Sequence, residues 1–220
     1  MNTLQNIVTT LFGESTQTVD IVVLLTLLTL LPSILIMLTG FTRILIILGF
    51  VRNALGMQQM PPNQVLIGLA LFLTFFVMQP VFTQVYDEAY TPYVAGELTQ
   101  DEFIDNAMGP VRNFMLDEVF EVDLEFFVGL TNTEIEDEAA IPTSVLIPAF
   151  LTSEIKHAFM IGFFLYIPFI VIDMIVASTL MAMGMMMLPP AMISLPFKVL
   201  MFVMVDGWQL IIGTIIGTFK

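Results

Sequence analysis

The chain has 220 residues, 57% of them apolar and only 12% charged, with a mean hydropathy of +0.93; that balance excludes an ordinary water-soluble domain and marks a membrane protein. A net charge of −14 without a basic patch argues against nucleic acid as a partner. The absence of cysteine excludes disulfide and thiolate chemistry.

In chain order, the first apolar run is Ile21 to Leu38, which continues past "TGFTR" into a second run, Ile44 to Val51. A bilayer span needs roughly twenty apolar residues, so this stretch predicts one long helix kinked at Pro32 or two shorter ones. The first positive charge is Arg43, so the basic start of a signal peptide is missing and the N-terminal run is expected to be retained. "RNALGMQQMPPNQ", Arg52 to Gln64, predicts a connecting loop, and Val65 to Val85 a second apolar segment interrupted by Gln79 and Pro80. Together, residues 1–86 are expected to form an N-terminal hydrophobic helical hairpin.

Asp87 to Glu138 holds fifteen acidic residues against one base, Arg112, and so carries essentially the whole net charge. Within it, Phe114, Val119 or Phe120, Leu124 and Phe127 recur every three to four residues, which predicts an amphipathic helix. Thr131 to Pro142 is expected to be a solvated loop. Arg43 and Arg52 place the first loop in the cytoplasm by the positive-inside rule, so residues 87–142 form an acidic extracytoplasmic segment.

Residues 143–220 predict a second hydrophobic hairpin, with apolar stretches from about Phe159 to Leu188 and from Met192 to Phe219. Glu154, Lys156, Asp173, Lys198 and Asp206 lie in or beside these stretches. An unpaired charge in hydrocarbon costs from about 2.5 kcal/mol upwards, so such groups pair or line a wet cavity. Snorkelling at a helix end is the plainer account of Lys156 and Lys198. Asp173, Asp206 and Lys156 are expected to be buried charges, and Glu154 with Lys198 is the candidate pair, joining hairpins within a subunit or between subunits. No Ser-His-Asp arrangement, phosphate loop or histidine-rich metal spacing occurs, so the sequence predicts no enzyme and no cofactor.

"MAMGMMMLPP", Met181 to Pro190, packs five methionines into seven residues before a proline pair. Gly184 and Pro189-Pro190 stop a helix, which leaves Met185, Met186 and Met187 on a loop or broken turn. Unbranched, polarizable methionines close around nothing and yield to objects of different shape. Irregular backbone at membrane depth is tolerated where protein buries it or where it borders an aqueous cavity. Three uses fit: a pore constriction, packing between helices, or a Cu(I) site on the M-x-M spacing of Met181, Met183 and Met185.

"PSILIMLTGFTRILIILGFVRNALGMQQMPPNQVLIGLALFLTFFVMQPV", Pro32 to Val81, resembles the first half of the FliP family of flagellar type III export gate proteins, whose injectisome relatives are called SctR. Ile147 to Ile211, which includes the methionine run and "VDGW", resembles the second half. The N-terminal twenty residues and the acidic segment depart from the family pattern. The resemblance implies an all-α integral membrane protein of broken helical hairpins, assembling in several copies, five in this family, with FliQ and FliR into a helical, cone-like gate at the base of the rod and hook. It implies contacts with other export-apparatus and basal-body ring proteins, with membrane lipid and with unfolded flagellar export substrates, in the bacterial inner membrane. It assigns the constriction to Met185, Met186 and Met187 with Met181 and Met183 adjacent, and leaves energy supply to other subunits. A proton-coupled transporter using Asp173, or a copper permease using the methionines, would be the alternatives.

Overall fold

A computed structural model describes residues 18–57, 59–131, 140–185 and 187–219. Among the described residues every regular element is a helix and none is a strand, as an all-α membrane protein requires. The chain divides into two compact units, Met1–Met37 and Leu38–Lys220. The first helix, α1, spans Thr18–Leu38 and has Pro32 inside it; all of it but its last residue belongs to the first unit.

In the second unit, α2 spans Phe41–Ala54 and α3 Asn63–Val85. The predicted first segment is therefore two helices, and the second matches α3 within two residues of each end. Gly40 precedes α2, and the Thr39 hydroxyl accepts a hydrogen bond from the Phe41 amide at 3.3 Å. Pro80 does not end α3, which continues through a π turn, Tyr86–Tyr90, and a short α4, Thr91–Val94, as one 32-residue apolar helix.

The acidic segment forms α5, Gln100–Glu118, and α6, Glu121–Gly129. The single amphipathic helix expected there is broken at Val119 and Phe120, yet its stripe faces inward: Phe114 and Leu124 are buried, and Val119 and Phe127 pack against them. Thr99 caps α5 with a reciprocal capping box to Glu102, which explains why the helix starts there. The solvated loop expected over 131–142 lies mostly outside the described residues.

α7 runs from Thr143 to Ala182, 40 residues, and begins well before the predicted Phe159. At 1.5 Å per residue it is about 60 Å long, about twice the thickness of a hydrocarbon core. α8, Pro190–Met204, and α9, Gly207–Ile216, follow and meet at a 67° bend. Among the described residues two helices are long and apolar enough to cross a membrane, or up to four if two interrupted helix pairs each count as one span.

The core sits where the N-terminal part of α7 meets α2, α3, α5 and α6. Met78 and Val81 of α3, Met115 of α5 and Leu146 and Phe150 of α7 are buried together, while α2 contributes Ile44, Ile47, Leu48 and Val51 along α7. Fully burying a side chain the size of Phe150 contributes about 1.5–3 kcal/mol. Arg112, the lone base of the acidic segment, ties α5 to the start of α7 by donating to the Ile141 carbonyl at 2.7 Å and the Thr143 hydroxyl at 2.6 Å.

Candidate functional site

The methionine run begins where α7 stops. Gly184 adopts a left-handed conformation, φ 75°, which costs a residue with a Cβ and is free for glycine. The Met185 amide donates to the Leu180 carbonyl at 3.0 Å and the Gly184 amide to the Met181 carbonyl at 3.0 Å. These two bonds make a Schellman stop, which satisfies carbonyls that the helix end would otherwise leave open. Pro189 and Pro190 then open α8, where a missing N–H is harmless. Met181 and Met183 are exposed at the end of α7, Met185 lies at the margin of exposure, and Met187 is 99% exposed at the turn. Met186 lies outside the described residues. The sequence expectation of a loop after Gly184 is thus met at the described positions.

Beneath this turn, α7 and α8 enclose an apolar groove of about 420 Å³ lined by Ile175, Thr179, Leu180, Met183, Ile193 and Phe197. Farther along the same hairpin, buried Lys198 donates to the Asp173 carboxylate at 2.6 Å, and the Ser194 hydroxyl donates to the other oxygen at 2.5 Å. Asp173 is only partly buried, its side chain 37% exposed. Ser194 and Lys198 stand four apart on α8 and present both donors to one carboxylate.

A second polar cluster lies at the other end of α7. Arg43 of α2 is completely buried. Its Nε donates to Glu154 at 3.2 Å, a second contact joins Nη2 to the same carboxylate, and Nη2 donates to Glu118 at 2.7 Å. Nη1 donates to the Thr218 carbonyl at 2.9 Å, and the Phe219 ring lies 4.2 Å from the guanidinium carbon. One arginine therefore ties α2, α5, α7 and the C-terminal residues together, a task suited to a planar five-donor group. Its burial also takes Arg43 out of the positive-inside vote, which leaves Arg52 to set the expected side of the first loop.

The pairing of Glu154 with Lys198 does not occur within the chain. Glu154 faces Arg43 and Lys198 faces Asp173, with roughly 28 Å of α7 between the two carboxylates. Within the single chain Lys156 and Asp206, expected as buried charges, are both exposed. Lys156, its side chain half exposed, lays its ammonium on the buried carboxylate of Asp123, which also accepts from the Ser153 hydroxyl at 2.8 Å. His157 stacks on Phe120, centroids 4.1 Å apart. Asp206 is exposed at the bend before α9 with φ 54°, a left-handed position that aspartate tolerates better than most residues. The next residue, Gly207, has no room for a Cβ, since one built there would lie 2.4 Å from the Phe202 ring, and Trp208 packs edge-on against that ring. "VDGW" is thus a bend motif. Sequence reasoning missed Arg43, Glu118 and Asp123 as partners because each lies far in sequence from the group it binds.

The FliP family pattern matches residues 24–215, nearly the whole chain. The chain belongs to the FliP family. It is 55% identical over 209 residues to the flagellar biosynthetic protein FliP of Pectobacterium carotovorum subsp. carotovorum, covering 94% of this chain and 81% of that protein. It is 51% identical to the protein of the same name from Bacillus subtilis (strain 168), covering 92% of each. At 42% identity it still matches the Aquifex aeolicus (strain VF5) protein over 94% of this chain and 88% of the relative. Among the described residues no cluster of three or more histidine, cysteine or carboxylate groups stands ready for a metal.

Proposed function

We propose that this FliP-family chain is a core subunit of the flagellar protein export gate in the bacterial cytoplasmic membrane, and that its methionine turn seals the export channel. Family membership places it in flagellar biosynthesis as a membrane-associated part of the export apparatus. In this reading five copies assemble with FliQ and FliR, and unfolded flagellar proteins pass through the channel. The acidic segment faces away from the cytoplasm.

The observation that carries the reading is the projection of Met187, 99% exposed, from a turn fixed by a Schellman stop on one side and a proline pair on the other. The rim that holds the turn is specified by backbone hydrogen bonds, while the side chains are long and torsionally soft. Such a ring closes by side-chain packing and deforms without refolding its support. Asp173 suits this reading better than a proton relay, since Lys198 and Ser194 both donate to its carboxylate.

A photo-crosslinking residue at Met187 tests the assignment in cells that carry an export substrate stalled in transit. Crosslinks to the stalled polypeptide are expected. A substrate halted mid-passage that never bonds to position 187 would remove this loop from the channel.

A further inference from the structure

α6 is fixed to the body of the protein along one side only. Leu124 enters the core, Asp123 accepts from Ser153 and pairs with Lys156, and the Ser153 hydroxyl accepts from the Phe120 amide at 3.0 Å. The opposite side presents Val122, Phe126 and Leu130, which are 71%, 61% and 66% exposed. These residues recur every four positions, so they form a continuous apolar stripe about 12 Å long. Glu121 and Glu125, both exposed, run beside it. A helix anchored in this way displays the stripe without an ordering cost at binding.

We propose that this face of α6 is a docking site for another protein, through an amphipathic segment whose apolar residues are flanked by lysine or arginine. The charge pattern selects that occupant. A peripheral membrane helix carries its cations beside the apolar stripe, whereas this one carries only glutamates, so an anionic lipid surface is repelled. A second copy of the chain would bring the same acidic segment, in which fifteen acids face one base that is already bonded to Ile141 and Thr143. The last four of these acids, Glu134, Glu136, Asp137 and Glu138, follow the helix closely in sequence. A cation-flanked partner gains from both the stripe and the acidic charge. The inference concerns a surface remote in sequence from the methionine turn and does not depend on the channel reading.

The test places a photo-crosslinking residue at Phe126 in the full chain, in cells that assemble it, and maps the bonded segment by mass spectrometry. The expected product is a different protein bonded within a Lys- or Arg-flanked apolar segment. Glu121→Lys with Glu125→Lys should lower its yield roughly five-fold, in line with the modest energies of exposed charge pairs. Asp101→Lys with Asp105→Lys on α5, the same change of charge away from the stripe, should leave the yield unchanged. A bond to a second copy, a bond to lipid only, a partner segment without cations, equal loss in both double variants, or no product would each overturn the proposal.

Discussion

Arg43 and Glu154 lie 111 residues apart in sequence and meet as a two-pronged ion pair with no exposed atoms on either side chain. Glu118 shares the same guanidinium. Removing one partner from a buried pair leaves a charge without compensation, at a cost of about 3–5 kcal/mol. Arg43→Ala should therefore lower the thermal midpoint of the detergent-solubilised protein more than any surface substitution. Arg43→Met combined with Glu118→Gln and Glu154→Gln should recover part of the loss, since no orphan charge remains. Thermal unfolding followed by circular dichroism checks both.

Gly207 gives a steric prediction. A methyl group there meets the Phe202 ring at 2.4 Å, and overpacking of this kind costs about 1–3 kcal/mol. Gly207→Ala should destabilise the α8–α9 bend and change the fluorescence of Trp208, which packs on the same ring. Adding Phe202→Leu should restore part of both signals.

Asp173 and Lys198 hold α8 against α7 near the methionine turn. Asp173→Asn leaves a buried ammonium without its anion and should cost more than Ser194→Ala, by about 1–3 kcal/mol. The exchanged variant, Asp173→Lys with Lys198→Asp, should regain protection of the turn against limited proteolysis. Equal cleavage of Asp173→Asn and the unaltered chain would show that the pair does not hold the hairpin.

Glu102 supplies a pH dependence on the acidic segment. The Thr99 amide and hydroxyl hold its carboxyl below the ordinary value of 4.5. A depressed folded value means that the capping box stabilises the start of α5 fully above pH 4.5 and loses that contribution as pH falls through the folded value. Amide exchange at the first turn of α5, corrected for its intrinsic rate, should quicken over that acid range. Thr99→Ala should flatten the response.

Much of the helical framework was legible in the sequence, because long apolar runs such as Val65 to Val85 leave few alternatives to a helix even where Gln79 and Pro80 interrupt them. The start of α7 was not. Glu154, Lys156 and His157 give residues 143–158 the look of a polar flank, and only tertiary contacts with Arg43, Asp123 and Phe120 make them compatible with a packed helix. The break at Val119 and Phe120 was equally hidden, since the inward stripe keeps its helical spacing on both sides of it. At the candidate site, Gly184 and the proline pair announced the stop because each acts through its own backbone. The partners of Glu154 and Lys198 were set by distance along α7, which spacing in sequence did not reveal.

The most direct measurement is ion leak across the cytoplasmic membrane in cells with Ala at Met185, Met186 and Met187, taken together with the recovery of assembled gates. A methionine seal requires increased leak with assembly intact. Unchanged leak through gates that assemble normally would contradict it, and the constriction would then lie elsewhere.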